Sequence, residues 1–202
     1  RAVARAAGAL PRQRRDRPAA VSGARPTVLV TVGTDHHRFD RLIGWMDSWA
    51  DDHPEIELVT QHGAADAPRN GRAIAMLGYD ELVAAMADAA VVVTQGGPAT
   101  IMDARSVGRR PIVVPRRAAH DEVVDDHQVA FTTWMAGKDL IWAADDPEGL
   151  RRELDAALAD PDRVRIPPDD GAAPETIEAF AAVVDPLVAR RRARTRQRRP
   201  RR

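Results

Sequence analysis

In the run Val92-Val93-Thr94-Gln95-Gly96-Gly97-Pro98-Ala99-Thr100-Ile101-Met102-Asp103, an apolar strand stops at two glycines and the chain restarts as a helix carrying Thr100 and Asp103. Glycines let backbone N–H groups approach an anion closely, and a new helix turns its positive N-terminus toward it. Gly96, Gly97 and the Thr100 hydroxyl are therefore candidates for holding a diphosphate. Asp103, one helical turn beyond Thr100, can accept hydrogen bonds from the two hydroxyls of a ribose. The pattern points to a bound nucleotide. Gly33-Thr34 ends an earlier apolar run in the same manner. The three-glycine spacing of a dinucleotide fingerprint is missing, and no acidic residue ends the second strand, so a nicotinamide cofactor is not expected. No lysine follows either glycine turn, which argues against a P-loop.

Three more groups have types suited to chemistry. Arg116 and Arg117 follow an apolar run and could neutralise a diphosphate leaving group, as electrostatic stabilisation requires. His36 and His37 are candidates for a general base acting on an acceptor hydroxyl. The segment from His120-Asp121-Glu122 to Asp125-Asp126-His127-Gln128 holds imidazoles and carboxylates of the kind divalent cations take. Its spacing does not match His-Glu-x-x-His, and sugar recognition fits it better, with His127 and Gln128 at a helix start reading hydroxyls. Neither a resident metal nor a cofactor is expected.

The elements that must position these residues alternate in type. Residues 27–32, 56–60, 72–76, 91–94, 111–114 and 140–142 read as strands. Between them, Phe39, Leu42, Ile43, Trp45, Met46 and Trp49 recur at helical spacing, and residues 81–89, 99–107, 126–136 and 147–159 read as further helices. The Trp45, Met46 and Trp49 stripe reads as packing. Residues 161–174 form a Pro- and Asp-rich loop, and residues 175–188 a closing helix. Alternation of this kind predicts an α/β fold, a Rossmann-like parallel sheet with helices on both faces. In such sheets ligands sit outside the carboxyl ends of the strands. The loops at 33–37, 95–98 and 115–117 then face one crevice.

The net charge of zero conceals segregation. Residues 1–26 carry seven Arg against Asp16, and residues 189–202 carry nine Arg and no acid, leaving the middle strongly acidic. Both ends are expected to be disordered tails around a domain at 27–188, by the logic of charged, weakly hydrophobic segments. Such ends can also attract nucleic acid or an anionic membrane surface. There is no cysteine, which excludes disulfides, thiolate metal sites and a cysteine nucleophile. No apolar run approaches the roughly 18 residues of a membrane span, and no signal core opens the chain, so a cytoplasmic protein is expected. The first residue is Arg1, so the chain is open to beginning inside a longer product.

Taken in order, Val30-Thr31-Val32-Gly33-Thr34 with Phe39-Asp40-Arg41-Leu42-Ile43, then Gly96-Gly97-Pro98-Ala99-Thr100-Ile101-Met102-Asp103, then Val113-Val114-Pro115-Arg116 leading to Asp126-His127-Gln128, resemble the C-terminal domain of glycosyltransferase family 28. The closest likeness is to the small catalytic subunits of two-part UDP-sugar transferases, which serve dolichol-linked oligosaccharide synthesis and, in bacteria, exopolysaccharide synthesis. The resemblance covers roughly residues 27–161. It implies the donor-binding half of a GT-B fold and an inverting, metal-independent transfer from a UDP-sugar. Gly97 and Thr100 would lie at the diphosphate, Asp103 at the uridine ribose and Gln128 at the donor sugar. Many relatives carry Glu at the position of Asp103.

The leading expectation is therefore a hexosyltransferase subunit that moves a sugar from a UDP-sugar to a lipid-linked or polysaccharide acceptor. The resemblance implies that a membrane-associated partner subunit holds that acceptor, since no acceptor half fits before Thr27, and keeps the chain peripheral to the inner membrane face. The alternatives are a non-catalytic UDP-sugar-binding or scaffold module of a polysaccharide synthase complex, and binding of nucleic acid or anionic surfaces through the Arg-rich ends. Of these, nucleic acid is the weaker.

Overall fold

The computed structural model describes residues 25–169. The Arg-rich ends, apart from residues 25 and 26, and the closing helix expected at 175–188 lie outside the described residues. Six strands, β1 (Thr27–Thr31), β2 (Glu57–Gln61), β3 (Arg72–Ile74), β4 (Val91–Gln95), β5 (Ile112–Val114) and β6 (Trp142–Ala143), form one parallel sheet in the order β3-β2-β1-β4-β5-β6. Val30 lies level with Thr60 on one side and Val93 on the other, and Val93 with Ile112. Helices α1 (Asp40–Ala50), α2 (Tyr79–Asp88), α3 (Pro98–Ser106), α4 (His127–Gly137) and α5 (Pro147–Ala159) complete the alternation.

The central strands β1, β4 and β5 are buried on both faces, which is why they read as apolar runs, whereas the edge strands β3 and β6 are partly exposed. Val28, Val30, Val91, Val93, Ile112 and Val114 pack on one face with Leu42, Met46 and Trp49 of α1 and Leu150 and Leu154 of α5. Their neighbours Leu29, Val59 and Val92 point the other way, against Met86 of α2 and Ala104 of α3. Val113 meets Ile101 of α3 and Met135 of α4 on that second side. Full burial of such a side chain contributes about 1.5–3 kcal/mol, so the inward stripe of α1 fixes that helix to the sheet. Trp49 also donates its indole N–H to Asp155 of α5 at 2.9 Å. Trp45 lies half-buried beneath the Arg41 guanidinium. The Trp and Met stripe is core and flank.

Local chemistry sets the element ends. Helix α2 starts at Tyr79, two residues before the expected boundary, because Gly78 N–H is capped by the Glu81 carboxylate at 3.0 Å. Helix α5 opens with Pro147 in its first turn and the Asp146 carboxylate accepting from Gly149 N–H at 2.6 Å. Strand β6 starts two residues later than the pattern suggested: Trp142 N–H reaches Pro111 O, Ala144 N–H reaches Val113 O, and Ile141 is packed inside. The segment after α5 is more ordered than a loop, because a 3-10 turn at Pro161–Val164 buries Val164, whose carbonyl accepts from Arg110 N–H at 2.8 Å. Among the described residues, no helix is long and apolar enough to cross a membrane.

The strand order reverses direction between β1 and β4. The loops leaving those two strands on their carboxyl side run apart and open a crevice, the usual ligand position in open parallel sheets.

Candidate functional site

A cleft of about 510 Å³ occupies that crevice, lined among others by Gly33, Thr34, Gln95, Gly97, Thr100, Asp103 and Gln128. Its walls come from the carboxyl ends of β1, β2 and β4 and from the first turns of α2, α3 and α4. Gly33 turns the chain out of β1 with φ +78°, a conformation that side-chain-bearing residues rarely adopt. At Gly97 a Cβ would meet the Gln95 amide at 2.3 Å, so any side chain there requires that amide to swing away. A Cβ on Gly96 would meet Thr132 Oγ1 at 2.8 Å and Gln128 Cβ at 3.0 Å. The strand end, the glycine turn and α4 are thus packed too closely for anything larger.

Helix α3 begins at Pro98 with Gly97 as its N-cap and carries no side-chain cap and no acid in its first turn. The N–H groups of Ala99 and Thr100 and the positive end of the helix are therefore offered to the cleft, a ready anion site. Gln95, only 8% exposed, donates weakly to Thr100 Oγ1 at 3.5 Å, and its Oε1 is buried without a partner. A buried amide group left unpaired costs about 1–3 kcal/mol, so a ligand that pairs it recovers that stability. Deeper on α3, Asp103 accepts from the Tyr79 hydroxyl at 3.2 Å, and the carboxylate charge pushes the Tyr79 pKa up. Gln61, at the end of β2, donates to Gly33 O at 3.3 Å and accepts from Leu77 N–H at 3.4 Å, closing the far wall.

The Gln128 Oε1 bridges two strand ends, accepting from Gly96 N–H at 3.0 Å and Arg116 N–H at 3.2 Å. With the oxygen engaged, the amide nitrogen is what Gln128 can present to a ligand. The expectation for Arg116 needs correction. Its side chain is fully buried, and its guanidinium donates to the carbonyls of Val32, His37 and Glu122 at 2.8, 2.8 and 2.9 Å and to Arg38 O at 3.3 Å. Arg116 holds the β1 and β5 loops together and has no face left for a diphosphate. Burial lowers its pKa, against the opposing charges of Asp35 and Glu122. Arg117, half-exposed, pairs with Asp145 at 2.9 Å.

The His127 ring lies outside the cleft lining, half-exposed and hydrogen-bonded through Nδ1 to Asp125 at 2.5 Å. The rest of its segment is engaged as well. Glu122 receives Arg41 at 2.9 and 2.8 Å and Arg117 N–H at 2.9 Å, while Asp126 caps Ala118 N–H at 3.0 Å. These carboxylates build the loop and its tie to α1.

At the cleft mouth, Asp35 Oδ1 accepts from His37 N–H at 2.9 Å and lies 2.6 Å from His37 Nδ1 and 3.4 Å from His36 Nδ1. The His37 backbone N–H, foremost, and the His37 ring then hold the Asp35 carboxyl below the usual carboxylate range. A carboxylate on Nδ1 fixes the tautomer and leaves Nε2 as the proton acceptor, the arrangement of an oriented base. Among the described residues, Asp35, His36 and His37 also form the one cluster of three metal-ligand side chains, their ligand atoms within 4.8 Å of one another.

Gly33, Thr34, Gly97, Thr100, Asp103 and Gln128 therefore line one cleft together with Asp35, while Gly96 is buried and His36, His37, Arg116 and His127 are not among its lining residues. Sequence reasoning did not single out Asp35, Gln61, Tyr79 or Gln95 as site residues. Gln95 stood directly before the two glycines and was accessible to the same argument. Tyr79 meets Asp103 only through the packing of α2 beside α3, which carries no local signal.

A family model described as the glycosyltransferase family 28 C-terminal domain matches residues 27–182. No curated protein sequence matches the chain. Solved structures do. The glycotransferase of kitacinnamycin is 21% identical with a TM-score of 0.55, covering 77% of this chain and 41% of its own. MurG of Acinetobacter baumannii is 19% identical with a TM-score of 0.50, covering 69% and 43%. CalG4, the calicheamicin glycosyltransferase, is 17% identical with a TM-score of 0.52, covering 79% and 44%. These likenesses bear on the fold, and the chain spans about two fifths of the length of each structure.

Proposed function

The chain belongs to the glycosyltransferase family 28 C-terminal domain family, and from that membership and the shape of the cleft we propose that it is the donor-binding half of a UDP-sugar glycosyltransferase. The carrying observation is the convergence of the Gly33 and Gly97 turns, the uncapped start of α3 and the Asp103 carboxylate in one cleft. In this reading the UDP diphosphate lies over Gly97, with the Ala99 and Thr100 N–H groups and the Thr100 hydroxyl directed at it. Asp103 receives the ribose hydroxyls, and Tyr79 orients that carboxylate. The sugar lies toward Gln128.

Transfer is an in-line displacement with inversion. An acceptor hydroxyl attacks the anomeric carbon, the bond to the UDP oxygen breaks, and UDP departs with the electron pair. Backbone N–H groups and the helix end stabilise the charge that develops on the leaving diphosphate. His37, held by Asp35, takes the proton of the attacking hydroxyl. No step requires a metal ion. The acceptor is lipid-linked and held by a membrane-associated partner subunit, which closes the cleft from above and keeps the chain at the membrane face.

Calorimetry with UDP, using ADP, GDP and NAD as controls, tests the donor reading: selective UDP binding supports it, and absence of UDP binding with the partner half present refutes it. Robust transfer by the isolated chain would overturn the two-subunit arrangement.

A further inference from the structure

We propose that Asp35, His36 and His37 form a binding site for a divalent transition-metal ion, and that filling this site withdraws His37 from proton transfer. The first clause rests on geometry alone, and the second on the reading of His37 as the base. Zinc-type ions bond imidazole nitrogen and carboxylate oxygen at about 2.0–2.2 Å, which in a tetrahedral site separates ligand atoms by about 3.3 Å. Asp35 Oδ1 is already 3.4 Å from His36 Nδ1 and 2.6 Å from His37 Nδ1, and the two rings are tilted together with centroids 4.0 Å apart. Small ring movements complete a three-ligand set and leave a fourth position open beside the cleft that Asp35 lines.

The donor set selects the kind of ion. Two imidazoles with one carboxylate suit zinc, cobalt, nickel or copper, whereas magnesium and calcium take oxygen ligands. The Arg116 guanidinium also acts on Asp35 electrostatically. That charge disfavours an ion held by electrostatics alone and favours one bonded to nitrogen lone pairs. The His36 side chain, 88% exposed, provides an open path of entry.

The consequence for His37 follows from tautomer chemistry. With Nδ1–H donated to Asp35, the Nε2 lone pair is free to accept a proton. With a metal ion on Nδ1, a neutral imidazole carries its proton on Nε2. The nitrogen that served as acceptor becomes a donor, with no net change in protonation. Metal binding and base function at His37 exclude one another.

The test uses the full chain, stripped with a chelator and titrated with Co²⁺, Zn²⁺ and Mg²⁺. The expected result is one Co²⁺ per chain with visible absorption of a low-coordinate nitrogen and oxygen site, displacement by Zn²⁺, and no Mg²⁺ uptake. Asp35→Asn and His36→Gln should each weaken Co²⁺ binding about tenfold or more. Nitrogen-15 NMR should show His37 Nε2 passing from lone pair to N–H in the zinc form. Absence of Co²⁺ uptake, or uptake that both substitutions leave unchanged, overturns the site. Transfer assayed with the acceptor half should fall on adding Zn²⁺ and return with chelator. Zinc bound with the tautomer changed and transfer undiminished overturns the second clause, while the donor reading is judged separately by UDP calorimetry on the metal-free chain.

Discussion

Replacing Arg116 by methionine removes a guanidinium while keeping most of its stem against the Phe39 ring, over which the charge sits at 4.7 Å. Three of the four carbonyl contacts are 2.9 Å or shorter. Hydrogen bonds from a charged donor contribute about 1.5–3 kcal/mol each, or about 4.5–9 kcal/mol gross for three. Methionine escapes the several kcal/mol that desolvating a guanidinium costs, which offsets part of the loss. The carbonyls of Val32, His37 and Glu122 are left short of a donor in the variant. The balance is a destabilisation of about 3 kcal/mol, which for a domain of this size lowers Tm by about 6–12 °C. Total stabilities of about 5–15 kcal/mol leave the variant folded at 25 °C. Urea and thermal unfolding followed by tryptophan fluorescence measure the shift, since Trp45 and Trp49 lie on the helix that this clamp secures. Arg116→Lys should recover less than half of the loss, because one ammonium cannot serve carbonyls from three separate segments. Had Arg116 been a diphosphate ligand, Arg116→Met would keep stability within about 1 kcal/mol and cut UDP affinity about tenfold, as loss of a charged hydrogen bond does. That pair of results would refute the clamp.

Asp103→Ala should lower UDP affinity about tenfold or more, near 1.4 kcal/mol for a lost charged hydrogen bond, while Tm holds steady because the Tyr79 contact is exposed; calorimetry and a melting curve report both. Gly71 has φ +78°, and a Cβ there would collide with the Leu58 carbonyl, so Gly71→Ala should cost about 2 kcal/mol or more. Far from the cleft, it should leave the UDP affinity of the folded fraction unchanged. The Asp35 carboxyl is depressed below its unfolded value of about 3.9. A group lowered on folding contributes stability in full above that unfolded value and loses it as pH falls through the folded one. Asp35→Asn lacks this titration, so with both proteins normalised to their pH 7 stability the variant should lose less on acidification than the parent, the two curves separating only below about pH 4; curves that diverge near neutrality would contradict the assignment.

The strands and helices were legible because each is an extended local pattern with one dominant cause. Val91 to Val93 faces apolar layers on both sides, so alternation vanishes and the run itself marks a central strand. The glycine turns were legible for a similar reason, since a residue without a side chain, placed where a strand must yield to a helix, has few other uses. The role of Arg116 was not legible. An arginine after a strand reads as an exposed cation, and only the tertiary return of the β1 loop, nearly eighty residues earlier in the chain, supplies the carbonyls that bury it. Gln128 shows the same effect in milder form: its helix-start position was readable, its service to Gly96 and Arg116 was not.

These two residues explain why the cleft can be so polar and still hold its shape. Gly33, Gly96 and Gly97 have no side chains with which to lock themselves. Rigidity has to come from behind. Gln128 ties the end of β4 to the start of the β5 loop, and Arg116 ties that loop to the one leaving β1. Glu122 then fastens the same segment to Arg41 on α1. Every link runs from a buried side chain to backbone, or between two largely buried charges, so the polar atoms facing the cleft need not hold it open. The uncapped N–H groups of α3, the Asp103 carboxylate and the unpaired Gln95 amide are left for a ligand because the supporting contacts are made by other residues. A site built this way binds through groups that contribute little to folding, so substitutions at Asp103 and at Arg116 should separate affinity from stability in opposite directions.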